Sequence, residues 1–219
     1  MRLGIRLGAV LDQVPPSRCV ADVGTDHGKL ALSLLETGRA QRVIATDVSV
    51  PSLDKARRLI LATPHASRAE FRAGDGLQVV NAGEVDTVVI SGMGGKEIVK
   101  IITSGPRFPA YVLSPQRDMR YVRESLISLG YRPECERVVK EDGKFYFVMT
   151  FAEGPCDLDE LELEFGRQNL ANPGTEFKEY LALKQREYGL LLGANPDNAD
   201  ITAKVQLFAR AVARINEGK

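Results

Sequence analysis

The sequence predicts an α/β fold: a mostly parallel sheet covered by helices on both faces, followed by a helical hairpin. Three observations predict it. From residue 19 onward, short β-branched runs alternate with helical stretches, the pattern of β–α–β crossovers. Those runs are continuously apolar, as strands buried on both faces are. After about Ala152 no convincing strand occurs, and apolar residues recur at alternating four- and three-residue steps instead, which is coiled-coil spacing.

The elements follow in order. Leu3, Leu7, Val10, Leu11 and Val14 fall on one helical face, with Arg2 and Arg6 elsewhere, so the N-terminal segment reads as a short amphipathic helix. Arg6 and Asp12 interrupt its apolar run and no small-residue cleavage site follows, which argues against a signal peptide. Cys19–Gly24 reads as a strand, and Ala31–Leu35 begins a helix. Arg42–Val48 is the next strand, and Pro51–Leu61 a helix with Leu53, Ala56, Leu59 and Ile60 inward. Glu70–Ala73 is a weak third strand and Asp86–Ser91 a strong buried one. Lys96–Ile102 is helical, Ala110–Leu113 a strand, and Met119–Leu129 a helix ended by Gly130. Glu134–Lys140 and Lys144–Phe151 are strands joined across Asp142-Gly143, a hairpin turn signal.

The tail, residues 153–219, opens on crowded acids, Glu153, Asp157, Asp159, Glu160, Glu162 and Glu164, which suit a helix N-terminus or a linker. Two helical blocks follow. Phe177, Leu181, Lys184, Tyr188 and Leu191 trace one stripe; Ile201, Val205, Phe208, Val212 and Ile215 trace the other; GANPD separates them. The expected organisation is therefore an α/β domain over 1–152 and a helical coiled-coil hairpin over 153–219.

Composition bounds the function. The 219 residues are 44% hydrophobic and 26% charged, with no run near the roughly 18 apolar residues of a membrane span. Lys+Arg and Asp+Glu are both 29, which excludes a uniformly basic nucleic-acid binder. The charge is split, however. Residues 153–219 hold 12 acids and 8 bases, residues 1–152 hold 17 and 21, so the first region is net positive. Arg117, Arg120 and Arg123 recur at three-residue spacing, as a solvated or a phosphate-contacting helix face would. Cys19, Cys135 and Cys156 are widely spaced with no metal-ligand pattern, and are expected as small core residues of a cytoplasmic protein.

The chemistry gathers at the strand ends. The first strand runs into Asp22-Val-Gly24-Thr-Asp26-His27-Gly28, a glycine turn of the kind that admits a ligand at a helix N-terminus. Its spacing is G-x-x-x-G. Asp26 stands where a dinucleotide fold places a glycine beside the pyrophosphate. A carboxylate there repels a diphosphate and suits a cation, such as the sulfonium and amine of S-adenosylmethionine. The second strand ends in Asp47-Val48, 23 positions after Gly24, where an acid accepts both ribose hydroxyls of an adenosine. The third runs into Gly74-Asp75-Gly76, whose acid can accept an adenine amine. The fourth ends in Ser91-Gly92-Met93-Gly94-Gly95, small residues that let two ligands meet. The fifth ends in Ser114-Pro115-Gln116, pointing at the same edge.

DVGTDHG, the acid in ATDV, AGDGL and above all VDTVVISGMGGKEI resemble the bacterial tRNA adenine-N1 methyltransferases of the TrmK family. The resemblance extends through EDGKFYFVM to the C-terminal helical pair. One motif departs: Ser114-Pro115-Gln116 stands where the family has Gln-Pro-Asn. The resemblance implies a class I, Rossmann-like methyltransferase sheet of seven strands with the seventh antiparallel, and a helical appendage that helps hold tRNA. It implies S-adenosylmethionine as cofactor, tRNA as partner, and the adenine at position 22 as target. Asp22, Gly24, Asp26, His27, Gly28, Asp47, Val48, Asp75, Gly76, Gly92 and Met93 are the expected cofactor-binding residues. Gly92, Met93, Gln116 and Arg6 are the expected catalytic ones. No metal and no membrane partner is expected, and the chain is expected to act as a monomer. The residues alone leave two other readings open: a class I enzyme for a small molecule, and a non-catalytic RNA-binding module that keeps a nucleotide pocket.

Overall fold

The computed structural model describes residues 3–217; Arg2 lies outside them. After helix α1 (Ile5–Gln13), strands and helices alternate: β1 (Ser17–Val23), α2 (Lys29–Glu36), β2 (Ala40–Asp47), α3 (Val50–Leu61), β3 (Ala69–Ala73), β4 (Thr87–Ser91), α4 (Gly95–Ser104), β5 (Ala110–Ser114) and α5 (Met119–Ser128). The strands β6 (Tyr131–Glu141) and β7 (Lys144–Glu153) and the helices α6 (Glu160–Phe165), α7 (Arg167–Ala171), α8 (Thr175–Ala194) and α9 (Ala199–Glu217) complete the described chain.

Seven strands form one sheet in the order β3-β2-β1-β4-β5-β7-β6. The pairs among β1 to β5 are parallel, and β7 is antiparallel to both β5 and β6. Both faces are covered, which is why the strands read as unbroken apolar runs. Cys19, Ala21, Val23, Val88 and Ile90 enter one core with Ile98, Val99 and Val122 of α4 and α5. Val20, Val43, Val89 and Val112 enter the other with Val10, Leu34 and Leu53 of α1, α2 and α3. The chain reverses its direction of travel across the sheet between β1 and β4. A crevice for a ligand opens outside the carboxyl ends of strands at such a point.

The β6–β7 hairpin turns at Asp142-Gly143, both at positive φ (+49° and +75°), a left-handed pair that matches strand twist. Leu113 pairs with Met149, so Lys144–Phe147 overhang the carboxyl edge by about 13 Å at the usual rise per residue.

The tail forms a third core with the outer face of this hairpin. Val138 and Phe147 are buried against Leu161, Phe165, Phe177, Leu181, Phe208 and Ile215. The acid crowd begins α6 through a reciprocal capping box of Asp159 and Glu162. Of the expected α8 stripe, Phe177 and Leu181 are buried, while Leu191 near the tip is exposed.

Two expectations are corrected. Arg117, Arg120 and Arg123 share no face. Arg117 precedes α5 and is exposed, and Arg120 binds Glu124 at 2.7 Å. Arg123 is wholly buried: its Nε donates to Glu136 at 2.6 Å, and its Nη1 to the carbonyls of Leu163 and Glu164. The carbonyls at the end of α6 need a donor, and Arg123 is the one that reaches them. Of the three cysteines Cys19 alone is buried; Cys135, on the outermost strand, is exposed.

Candidate active site

Each parallel strand delivers a polar group to the carboxyl edge. Asp22 lies at the end of β1, nearly inaccessible, and accepts a hydrogen bond from Thr25 Oγ1 at 2.7 Å. Burial raises its carboxyl to about 6, against the opposing effect of the Thr25 and Ala31 hydrogen bonds. Asp26 adopts a left-handed φ of +51°, and its amide donates to Asp47 Oδ2 at 3.1 Å. The Ser49 amide donates to Asp47 Oδ1 at 2.8 Å. Two amides therefore hold the Asp47 carboxylate, and each oxygen keeps a lone pair for a hydroxyl. Asp26 Oδ2 lies 2.7 Å from His27 Nδ1, and His27 Nε2 lies 3.4 Å from Lys55 Nζ. An ammonium only donates, so Nε2 accepts from Lys55 and Nδ1–H donates to Asp26. His27 thereby orients the Asp26 carboxylate.

The β4 and β5 loops are stitched together. Gly92 N–H donates to Ser114 O at 3.1 Å, and Gln116 N–H to Met93 O at 2.9 Å. Gln116 Nε2 donates to Gly92 O at 2.6 Å. The amide oxygen of Gln116 is left as an acceptor at the mouth. From the opposite wall Arg6 lies over the Tyr146 ring, 5.4 Å from its centroid, close enough to Gly92 that a β-carbon there would meet Arg6 Nη1 at 3.2 Å. Among the described residues Arg6 has no carboxylate partner.

These groups line one cavity of about 480 Å³. Asp22, Gly24, Asp26 and His27 come from the β1 loop; Asp47 and Val48 from β2 and its loop. Asp75 and Gly76 come from the β3 loop, Gly92 and Met93 from the β4 loop, Gln116 from the β5 loop and Arg6 from α1. Gly28 is the exception. It caps α2 at φ +71°, and a β-carbon would meet Ala56 Cβ at 2.7 Å, so it serves α2–α3 packing and not the cavity. Gly24 makes room for protein as well: a β-carbon there would lie 2.4 Å from Met93 Cε.

Sequence reasoning missed Lys29, Thr46, Glu97 and Ile101, which also line the cavity. Glu97 and Ile101 are four apart on α4, so one helical face presents both; that spacing was the available signal. The cavity carries the carboxylates of Asp22, Asp26, Asp47, Asp75 and Glu97 against the cations of Arg6 and Lys29. An excess of acid fits a cationic nucleoside and opposes a diphosphate. Among the described residues no cluster of His, Cys, Asp or Glu could hold a metal ion. No described helix is long and apolar enough to cross a membrane.

Known proteins share this fold. Residues 3–149 match the family model described as a methyltransferase domain. The tRNA (adenine(22)-N(1))-methyltransferase of Bacillus subtilis is 30% identical over 161 residues, covering 72% of this chain and 68% of that protein. The solved TrmK of M. capricolum, in complex with S-adenosylhomocysteine, superposes with a TM-score of 0.89 at 23% identity, covering 98% of this chain and all of that one. The B. subtilis m1A22 tRNA methyltransferase TrmK superposes with a TM-score of 0.84 at 23% identity, over 99% of this chain and 98% of that one.

Proposed function

The chain belongs to the bacterial tRNA adenine-N1 methyltransferases of the TrmK family, and from that premise we infer that it methylates N1 of the adenine at position 22 of tRNA with S-adenosylmethionine. The observation that carries the reading is the acid-lined cavity whose mouth opens between Gly92, Gln116 and Arg6.

When bound, S-adenosylmethionine supplies a methyl group already activated by its sulfonium. Asp47 would accept both ribose hydroxyls, and Asp75 an adenine amine. Asp22 and Asp26 would supply negative charge to the donor's cationic end. The target N1 carries an in-plane lone pair and needs no proton removed, so no general base is required. The protein's work is placement, bringing nitrogen and methyl to near-contact distance in line. The free oxygen of Gln116 is suited to accept from the exocyclic amine of the target, which orients the Watson–Crick edge inward. Gly92 and Met93 would stand between donor and base, Gly92 adding no side chain there. N1 lies on the pairing edge, so the base must enter unpaired or flipped, at a cost of a few kcal/mol.

We assign residues 1–152 to donor binding and catalysis and residues 153–219 to helping hold tRNA, in a cytoplasmic monomer. The test is methylation of unmodified tRNA, with the product nucleosides mapped by mass spectrometry. The expected result is 1-methyladenosine at position 22 alone. Methyl transfer to a small metabolite with none to tRNA would overturn the reading.

A further inference from the structure

Several cations at the amino edge of the sheet have a partner: Arg18 lies 3.6 Å from Asp86, Arg42 3.8 Å from Glu70 and Arg107 4.0 Å from Glu153, while Arg39 and Arg68 donate to main-chain carbonyls. The tail behaves alike. Lys184 meets Glu187 at 2.7 Å, Lys204 meets Glu164 at 3.2 Å, and Arg210 meets Glu160 at 2.6 Å, while Glu179 takes Lys140 of β6 at 2.7 Å. Among the described tail cations only Lys178 and Arg186 lack an acid.

The carboxyl edge is different. Lys55, Lys96, Lys100 and Lys144 are exposed and, among the described residues, have no carboxylate within reach. Arg117 lies 3.8 Å from Asp118, a distance like those of the amino-edge pairs, but 80% of its side chain is exposed. Lys55 stands on α3 beside His27, Lys96 and Lys100 on α4, Arg117 after β5, and Lys144 on the overhanging hairpin. Lys55 touches the lining residue His27, Lys96 and Lys100 precede the lining residues Glu97 and Ile101, and Arg117 follows Gln116, while none of the five lines the cavity itself. Holding uncompensated cations near one another costs electrostatic energy, and a polyanion laid across them recovers it.

We propose that Lys55, Lys96, Lys100, Arg117 and Lys144 form a track for RNA phosphates around the mouth, and that the tail supplies little of the electrostatic grip. The proposal rests on the tRNA reading above and gives that substrate its docking surface. A phosphate backbone along the track brings one unstacked base over Gln116. The tail then contributes through shape and its exposed tip, where Leu190 is 69% and Leu191 48% exposed.

The test compares two triple variants of the full chain with equal loss of charge. One is Lys96→Gln, Lys100→Gln and Arg117→Gln; the other is Lys184→Gln, Lys204→Gln and Arg210→Gln. Binding of unmodified tRNA is measured from low to physiological salt, alongside S-adenosylmethionine binding. For the rim variant, tRNA affinity falls at least about tenfold and the slope of log K against log salt shrinks by about 2, near 0.7–0.9 for each phosphate that is no longer neutralised. Donor affinity stays level, since none of the three lines the cavity. The tail variant keeps the wild-type slope. Equal slopes in both variants, or a smaller slope in the tail variant alone, overturn the track while methylation of tRNA by the wild type upholds the function. Wild-type protein that neither binds nor methylates tRNA overturns the function and the track together.

Discussion

At the mouth of the cavity Asp75 and Glu97 face solvent with no cationic partner among the described residues, and Asp22 is buried at the cost of a raised carboxyl pKa. In the tail the same residue types are consumed internally: Glu162 binds Arg167 at 2.9 Å and Arg214 at 3.2 Å, and Glu160 binds Arg210. Arg167 and the capping hydrogen bonds hold the Glu162 carboxyl below its usual range. One region leaves charge unpaired for a ligand, and the other uses charge to hold helices on a sheet. A site that must grip ions carries a stability cost that a structural region does not.

Four experiments break or sharpen this contrast. The largest effect is expected at the joint between the regions. Arg123→Ala strands Glu136 in the core and leaves two α6 carbonyls unpaired, so denaturant unfolding should show a loss of about 3–5 kcal/mol. A loss under about 1 kcal/mol would mean the tail is held by apolar packing alone.

Next is Asp47→Ala. Losing two charge-assisted hydrogen bonds should weaken S-adenosylmethionine at least about a hundredfold in calorimetry, at about 1.5–3 kcal/mol each. The fold should survive. Undiminished binding would reject the assigned pocket.

Asp22→Asn should act in opposite directions on stability and binding. The folded carboxyl titrates near 6, above its unfolded value of 3.8. Between those values the folded state holds the extra proton, so stability falls as pH rises from about 4 to 6 and stays lower above. The amide carries no such penalty, and should be more stable at pH 8 by about 2 kcal/mol, somewhat less than the full linkage value because one acceptor is lost. It should also bind donor more weakly. In the wild type, donor affinity should climb from pH 5 to 7, because a cationic ligand selects the ionised carboxylate. A flat profile would remove Asp22 from the binding site.

The smallest effect is expected at Lys184–Glu187, an exposed pair three residues apart on α8. Lys184→Ala should change stability by no more than about 0.5 kcal/mol. A larger loss would show that the outer part of α8 depends on its ion pairs.

Much of the fold was legible because most strands of the parallel sheet are short, apolar and bounded by glycine or proline, β3 with its Glu70 and Arg72 being the weak one. Periodicity and turn chemistry are local, so β1 to β5 and the Asp142-Gly143 hairpin could be read in order. The site was legible for a related reason. In an open α/β sheet the loop after every parallel strand reaches the same edge, so Asp22, Asp26, Asp47, Asp75, Gly92 and Gln116 could be grouped without coordinates. Glu97 and Ile101 escaped because their four-residue spacing puts them on one face of α4 without saying what that face meets, and Lys29, the first residue of α2, reads equally well as a solvated helix start.

The sequence by itself determined the alternation of elements, the carboxyl-edge acids and the family resemblance, since each depends on spacing along the chain. Only the tertiary structure decided which charges are free. Arg117, Arg120 and Arg123 look alike in sequence, yet one is exposed, one is paired on the surface and one is sealed in the core. Partners such as Glu136, Leu163 and Glu164 lie 13 to 41 positions from Arg123. Charge compensation is a property of distance in space, and a local pattern reports only helix neighbours such as Arg120 and Glu124.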